Sequence, residues 1–173
     1  MMKFGLVGGV RTKPGIEDGY ASGYGTYIDG VVEAEALGYY SNFIVEHHFS
    51  GVGQVSASMS LLSFIAARTS TIRLGTAVVV IPWHNPVLVA EQAATLDLLS
   101  NGRFDFGVGR GYRHMEFAGF CIPIAEANER FEEAMTIIRK AWSSEERFSH
   151  HGTHWQFEDI VIEPPPTQSP HPP

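Results

Sequence analysis

Four short apolar runs recur along the chain, at Lys3–Val7, Asn42–Val45, Ile72–Ile81 and Phe104–Val108, and a pattern of helical period follows each. After the first run, Thr26 is placed to cap a helix that reaches Leu37, with Gly38 as its stop. After the second, Leu61, Leu62, Ile65, Ala66 and Thr69 fall on one helical face. The third helix has the clearest start, with Asn85 as N-cap and Pro86 at the first helical position. Val89, Ala93 and Leu96 then keep phase, and Asn101-Gly102 ends it. The fourth carries Phe131, Met135, Ile138 and Trp142 on one face.

Strand starts lie about 30–40 residues apart, the spacing of βαβ units, which build parallel sheets with right-handed crossovers. The order fits a doubly wound sheet or part of a (β/α)8 barrel, and leans to the barrel. A whole barrel needs about 250 residues, so 173 residues would supply half of one. The expected fold is therefore α/β, a (β/α)4 N-terminal half of a TIM-like barrel. Three segments follow: residues 1–147 as βα units one to four, 148–163 as a hairpin-like insertion turning at His151-Gly152, and 164–173 as a proline-rich linker towards a fifth strand.

The second run ends in chemistry. It reads Asn-Phe-Ile-Val-Glu-His-His-Phe from Asn42 to Phe49 and leads straight into two histidines. Side chains alternate along a strand, so Phe43, Val45 and His47 share one face, and Ile44, Glu46 and His48 the other. In parallel barrels the reactive groups sit at the carboxyl ends of strands. Imidazole is the side chain that exchanges protons most readily near neutral pH.

Composition narrows the classes. The net charge of -7 comes from 12 basic and 19 acidic residues, against the basic surface that nucleic acid requires. Cys121 is the single cysteine, so no internal disulfide forms, which fits a reducing compartment. No apolar run approaches the ~20 residues of a membrane span, and the first residues show no signal-peptide pattern. A cytoplasmic protein is the expectation.

Four segments, in order, resemble the N-terminal half of the bacterial-luciferase-like flavin monooxygenases. They are Val-Glu-His-His-Phe (45–49), Leu-Gly-Thr-Ala-Val-Val-Val-Ile-Pro with His-Asn-Pro after it (74–86), Leu-Leu-Ser-Asn-Gly-Arg-Phe-Asp-Phe-Gly-Val-Gly-Arg-Gly (98–111) and Asn-Glu-Arg-Phe-Glu-Glu (128–133). The resemblance covers roughly residues 2–173. It implies a TIM-like barrel, reduced FMN or a deazaflavin as cofactor, and often a dimer. His47 matches the family's catalytic histidine, with acid/base and hydrogen-bonding work at the flavin's reactive edge. Ala77 and Val78 match a bulge, often with a cis peptide, against the flavin ring. Gly109 stands where some relatives carry a reactive cysteine, so no thiol acts there. Arg110 and Arg130 match arginines near the flavin phosphate, where a planar guanidinium suits bidentate contact. Glu116 matches an acidic pocket residue, and His84 with Trp83 follows the third strand towards the pocket.

Each of these residues also has a purely structural reading. The histidines could simply finish a strand, Arg110 could pair with a carboxylate, and Arg130 with Glu126 or Glu133. His150, His151 and His154 have zinc-like spacing but read as solvated hairpin residues. The resemblance implies an oxidoreductase that uses reduced FMN and dioxygen to oxygenate a small organic substrate such as an aldehyde. A flavin reductase and a second copy of the chain would be its partners, and neither nucleic acid nor membrane would be. The rivals are hydride transfer with a deazaflavin or nicotinamide, a metal-dependent hydrolase using His47, His48 and His84, and a non-catalytic half-barrel that self-associates.

Overall fold

Each expected strand forms, and the strands lie side by side in chain order. The computed structural model describes residues 2–10, 19–50 and 55–173. β1 (Gly5–Gly8), β2 (Ser41–Ile44), β3 (Arg73–Thr76) and, past the short β4 (Val79–Val80), β5 (Phe104–Asp105) make a parallel sheet in the order β1-β2-β3-β5. A doubly wound sheet reverses its strand order at a switch point; this one does not. β4 pairs in parallel with β6 (Val108–Gly109).

α1 (Gly19–Ala36), α2 (Ser58–Arg68) and α3 (Pro86–Leu99) follow the first three strands. The short α4 (His114–Gly119) precedes α5 (Ala127–Ser143), and β7 (Phe148–His151) and β8 (Gln156–Ile160) form the antiparallel hairpin. Neighbouring helices pack in sequence order, α1 on α2, α2 on α3, α3 on α5. They cover one face of the sheet. In register, Leu6, Asn42, Leu74 and Phe104 make a row across four strands. This row points into the helical layer, where Leu74 and Phe104 are completely buried with Leu62, Ile65 and Ile138. The next row, Val7, Phe43, Gly75 and Asp105, lies on the inner face. There the Phe43 ring occupies the space that a side chain at Gly75 would take.

Three expectations shift. α1 begins at Gly19, seven residues ahead of Thr26, because Tyr24 and Tyr27 pack on the core and extend a segment whose glycines disfavour helix. The third run breaks into β3 and β4 around a cis Ala77–Val78 peptide, and Ile81–Trp83 forms a 3-10 turn. The fourth run breaks at Phe106-Gly107. A Cβ at Gly107 would run into the Thr76 carbonyl, and the Gly107 carbonyl accepts from Thr76 Oγ1 at 2.7 Å and Val79 N at 2.9 Å. This exchange shifts the pairing from β3–β5 to β4–β6.

Polar anchors fix the joints. Asn85 Oδ1 accepts from Val87 N and Leu88 N, the N-cap expected from its place before Pro86. Arg103 is buried and donates to the carbonyls of Ala66, Thr69, Ile72 and Ser100, so the arginine of Asn-Gly-Arg-Phe-Asp closes the open ends of two helices. Asn101 and Gly102 both take positive φ to make that turn. Glu35 accepts from Ser70 N, Thr71 N and Ile72 N, tying α1 to the start of β3. The proline-rich end is docked as well. Fully buried Asp97 accepts from Thr167 N (2.7 Å), Gln168 N (2.8 Å) and Gln168 Nε2 (2.6 Å). The Pro173 carbonyl accepts from Phe106 N at 2.7 Å, on the free side of β5.

Candidate functional site

The carboxyl ends of β2, β4 and β6 converge on a cleft of about 510 Å³. Val45 and His47 form one wall, Ala77, Val78 and Val80 a second, and Gly109 to Tyr112 a third. Glu46 and Glu116 also reach its lining. The walls are close-set: a Cβ at Gly109 would lie 2.6 Å from Val78 Cγ2. A larger residue there would have to displace the Val78 side chain. Gly111, at φ +75, turns the chain under Phe117 and Val80.

His47 is held at its Nδ1 by Glu116 Oε1 at 3.2 Å, and the same oxygen accepts from His48 N at 2.9 Å. Glu116 is buried at the middle of α4, an element with no clear signal in the hydrophobic pattern. A carboxylate only accepts, so in the neutral ring the proton sits on Nδ1 and the lone pair on Nε2. Nε2 has no hydrogen-bond partner among the described residues. The pair is an oriented imidazole with one free basic nitrogen at a cleft wall.

The other face of the strand end is built round Glu46. Its Oε1 accepts from His48 Nε2 (3.0 Å), Trp83 Nε1 (3.0 Å) and His84 Nε2 (2.9 Å). Burial pushes the Glu46 carboxyl up, but the bonds from His48, His84 and Trp83 outweigh it and hold the group down to about 2. The His48 ring also lies edge-on to Phe120 and Trp83. This knot joins the end of β2 to the turn after β4 and so sets the distance between two walls of the cleft.

The expected residues divide. His47, Ala77, Val78, Gly109, Arg110 and Glu116 line the cleft together. His84 does not; its ring nitrogen is taken by Glu46. Arg110 is exposed and donates to Asn128 Oδ1 at 3.0 Å, on the first turn of α5. Arg130, two residues along that helix, donates from Nε to Glu126 at 2.8 Å and lies over the Trp155 ring. Its terminal nitrogens have no hydrogen-bond partner among the described residues. The hairpin histidines each face carboxylates: His150 faces Glu133, His151 faces Glu158, and His154 lies between Glu126 and Glu129. Glu133 also accepts from three backbone N–H groups of the turn. Among the described residues no three His, Cys, Asp or Glu side chains are grouped to hold a metal ion. Sequence reasoning missed Tyr112 and Arg113; their place after a glycine-rich strand end was the available signal.

Known proteins carry the same architecture. The family model for luciferase-like monooxygenases matches residues 2–173. The oxygenase component of the flavin-dependent trigonelline monooxygenase of Acinetobacter baylyi is 31% identical over 142 residues, covering 81% of this chain and 39% of that one. An F420-dependent glucose-6-phosphate dehydrogenase of Intrasporangium calvum is 35% identical, over 78% of this chain and 43% of the relative. The crystal structure of monooxygenase RslO1 from Streptomyces bottropensis superposes with a TM-score of 0.91 at 32% identity, covering 99% of this chain and 52% of that one. The chain thus spans about half the length of such relatives, and over that half it belongs to the luciferase-like monooxygenase family.

Proposed function

We propose that the chain forms the reduced-flavin side of an oxygenase that adds one oxygen atom of dioxygen to a small organic molecule. The observation that carries this reading is the His47–Glu116 pair on the wall of a cleft whose other walls are backbone-rich strand ends. The fit to a flavin rests on shape and charge. Gly109 and Gly111 add no side chain to the lining and Ala77 adds a single methyl, which suits a planar ring. Arg110 lies at the mouth, and Arg130, on the first turn of α5, has terminal nitrogens without a hydrogen-bond partner among the described residues. We assign the ring to the wall of Ala77 and Val78 and the phosphate to the two arginines. Bound there, a reduced flavin supplies two electrons for the activation of dioxygen.

The chain's own residues orient and protonate. Glu116 fixes the His47 ring and its tautomer. Nε2 then accepts or returns a proton at the reacting edge. Glu46 keeps His48 and the 81–83 turn from shifting that wall. A separate reductase is the source of reduced flavin, in keeping with the relative named as an oxygenase component. The F420-dependent relative supports a second reading, hydride transfer with a deazaflavin in the same cleft.

The test is a fluorescence titration of the purified chain with FMN and, in parallel, a deazaflavin. Saturable FMN binding that weakens about tenfold or more in Arg110→Gln is expected, since a charge-assisted phosphate contact contributes about 1.5–3 kcal/mol. Tighter binding of the deazaflavin would favour the second reading. No binding of either by a folded chain, and none by a version extended to the length of its relatives, would end both.

A further inference from the structure

Val45 and His47 line a second pocket, on the other side from the cleft just described. It holds about 400 Å³ and lies between the carboxyl ends of β1 and β2. Its floor is the backbone of Gly8 and Gly9, and the space above Gly8 is open, since a Cβ built there meets nothing within 4 Å. Val7 and Val45 supply apolar wall. Arg113 lines the pocket as well. Among the described lining residues it is the only one with a permanent charge.

Arg113 is half-buried, and its side chain makes no hydrogen bond or ion pair with any described residue. Its guanidinium carbon lies 5.8 Å from the centroid of the Tyr112 ring. The nearest candidate partner, Glu116 three residues on, is committed to His47 and His48. Elsewhere in the described structure the half-buried or buried arginines are paired: Arg73 with Asp105, Arg103 with four carbonyls, Arg130 with Glu126. A partly desolvated guanidinium costs free energy until an anion meets it.

We propose that this pocket seats the carboxylate of an organic substrate, with Arg113 as its binding residue and the apolar body against Val7 and Val45. One guanidinium matches one monoanion, and its planar fork matches the two oxygens of a carboxylate. A dianionic phosphate would be undercharged by a single cation on a chain of net charge -7. The group attached to the carboxylate then extends towards His47, the residue shared with the flavin cleft. That the bound anion is the substrate rests on the flavin reading; the pocket's preference for a carboxylate does not.

The experiment is a titration without flavin, read from the ring resonances of His47 in histidine-labelled protein and assigned with His47→Gln. Sodium benzoate, neutral benzyl alcohol and sodium phosphate are the probes. Benzoate is expected to give saturable shifts at concentrations where benzyl alcohol gives none. Arg113→Gln should weaken benzoate about tenfold or more, with Arg113→Lys between the two. Unchanged folding of both variants is checked by circular dichroism, and the lysine variant carries the test if the glutamine variant fails to fold. Equal binding of benzyl alcohol, or benzoate binding indifferent to Arg113, would overturn the proposal. So would phosphate displacing benzoate at lower concentration, which would make the pocket a phosphate seat. A chain that binds benzoate but not FMN fails the flavin reading alone, and one that binds FMN but not benzoate fails this one alone.

Discussion

Glu46 holds the site in shape through bonds made wholly within the protein. Three N–H groups from two elements meet on one of its oxygens in a buried setting. Its carboxyl lies near 2 in the fold against 4.5 when unfolded. A depressed carboxyl contributes stability that is fully present above the unfolded value and is lost as pH falls from about 4.5 through 2. The size is on the order of 3 kcal/mol. Urea unfolding between pH 7 and pH 3 should therefore show wild type losing more stability than Glu46→Gln below pH 4.5. Parallel curves would mean that the carboxylate is not charged by design. The alternation along β2 placed Glu46 opposite His47 from the sequence alone. Two of its three partners were not legible, because Trp83 and His84 lie 37 and 38 positions away and only the turn after β4 brings them back.

At the scale of elements, the pattern of apolar runs was enough for the four strands, four major helices and the hairpin, since each has a buried face with its own period. It was silent where geometry is set by backbone contact between strands. The breaks at Ala77–Val78 and Phe106–Gly107 are examples: β-branched and aromatic residues run through both, and the offset comes from the Thr76–Gly107 exchange. It also read the proline-rich end by composition. Prolines leave few N–H donors, yet those of Thr167 and Gln168 are the ones Asp97 binds. Asp97 is a buried carboxylate on α3 that would otherwise be alone. Asp97→Ala should cost about 2–4 kcal/mol and release residues 167–173. Hydrogen exchange would show loss of protection at Phe106, whose N–H is bonded to Pro173. Retained protection there would mean the segment is held by the packing of His171 against Trp142 instead.

For the molecule as a whole, the inner face of the sheet is the open question of packing. Helices cover the outer face, while on the inner face Val7 is 73% exposed. β1 also presents an unpaired edge among the described residues, a template for pairing. The 173-residue chain is expected to self-associate, and light scattering across a concentration series should give a dimer. A monomer throughout would show that the open face tolerates water. The net charge of -7 limits larger aggregates. Among the described residues no helix is long and apolar enough to cross a membrane. The two pockets on either side of His47 carry a consequence of their own. They share one imidazole, whose single free nitrogen can hydrogen-bond to only one occupant at a time. Two occupants that both bond to that nitrogen would weaken each other, and linkage makes that factor the same in both directions. The order in which two molecules arrive then becomes a property of one ring.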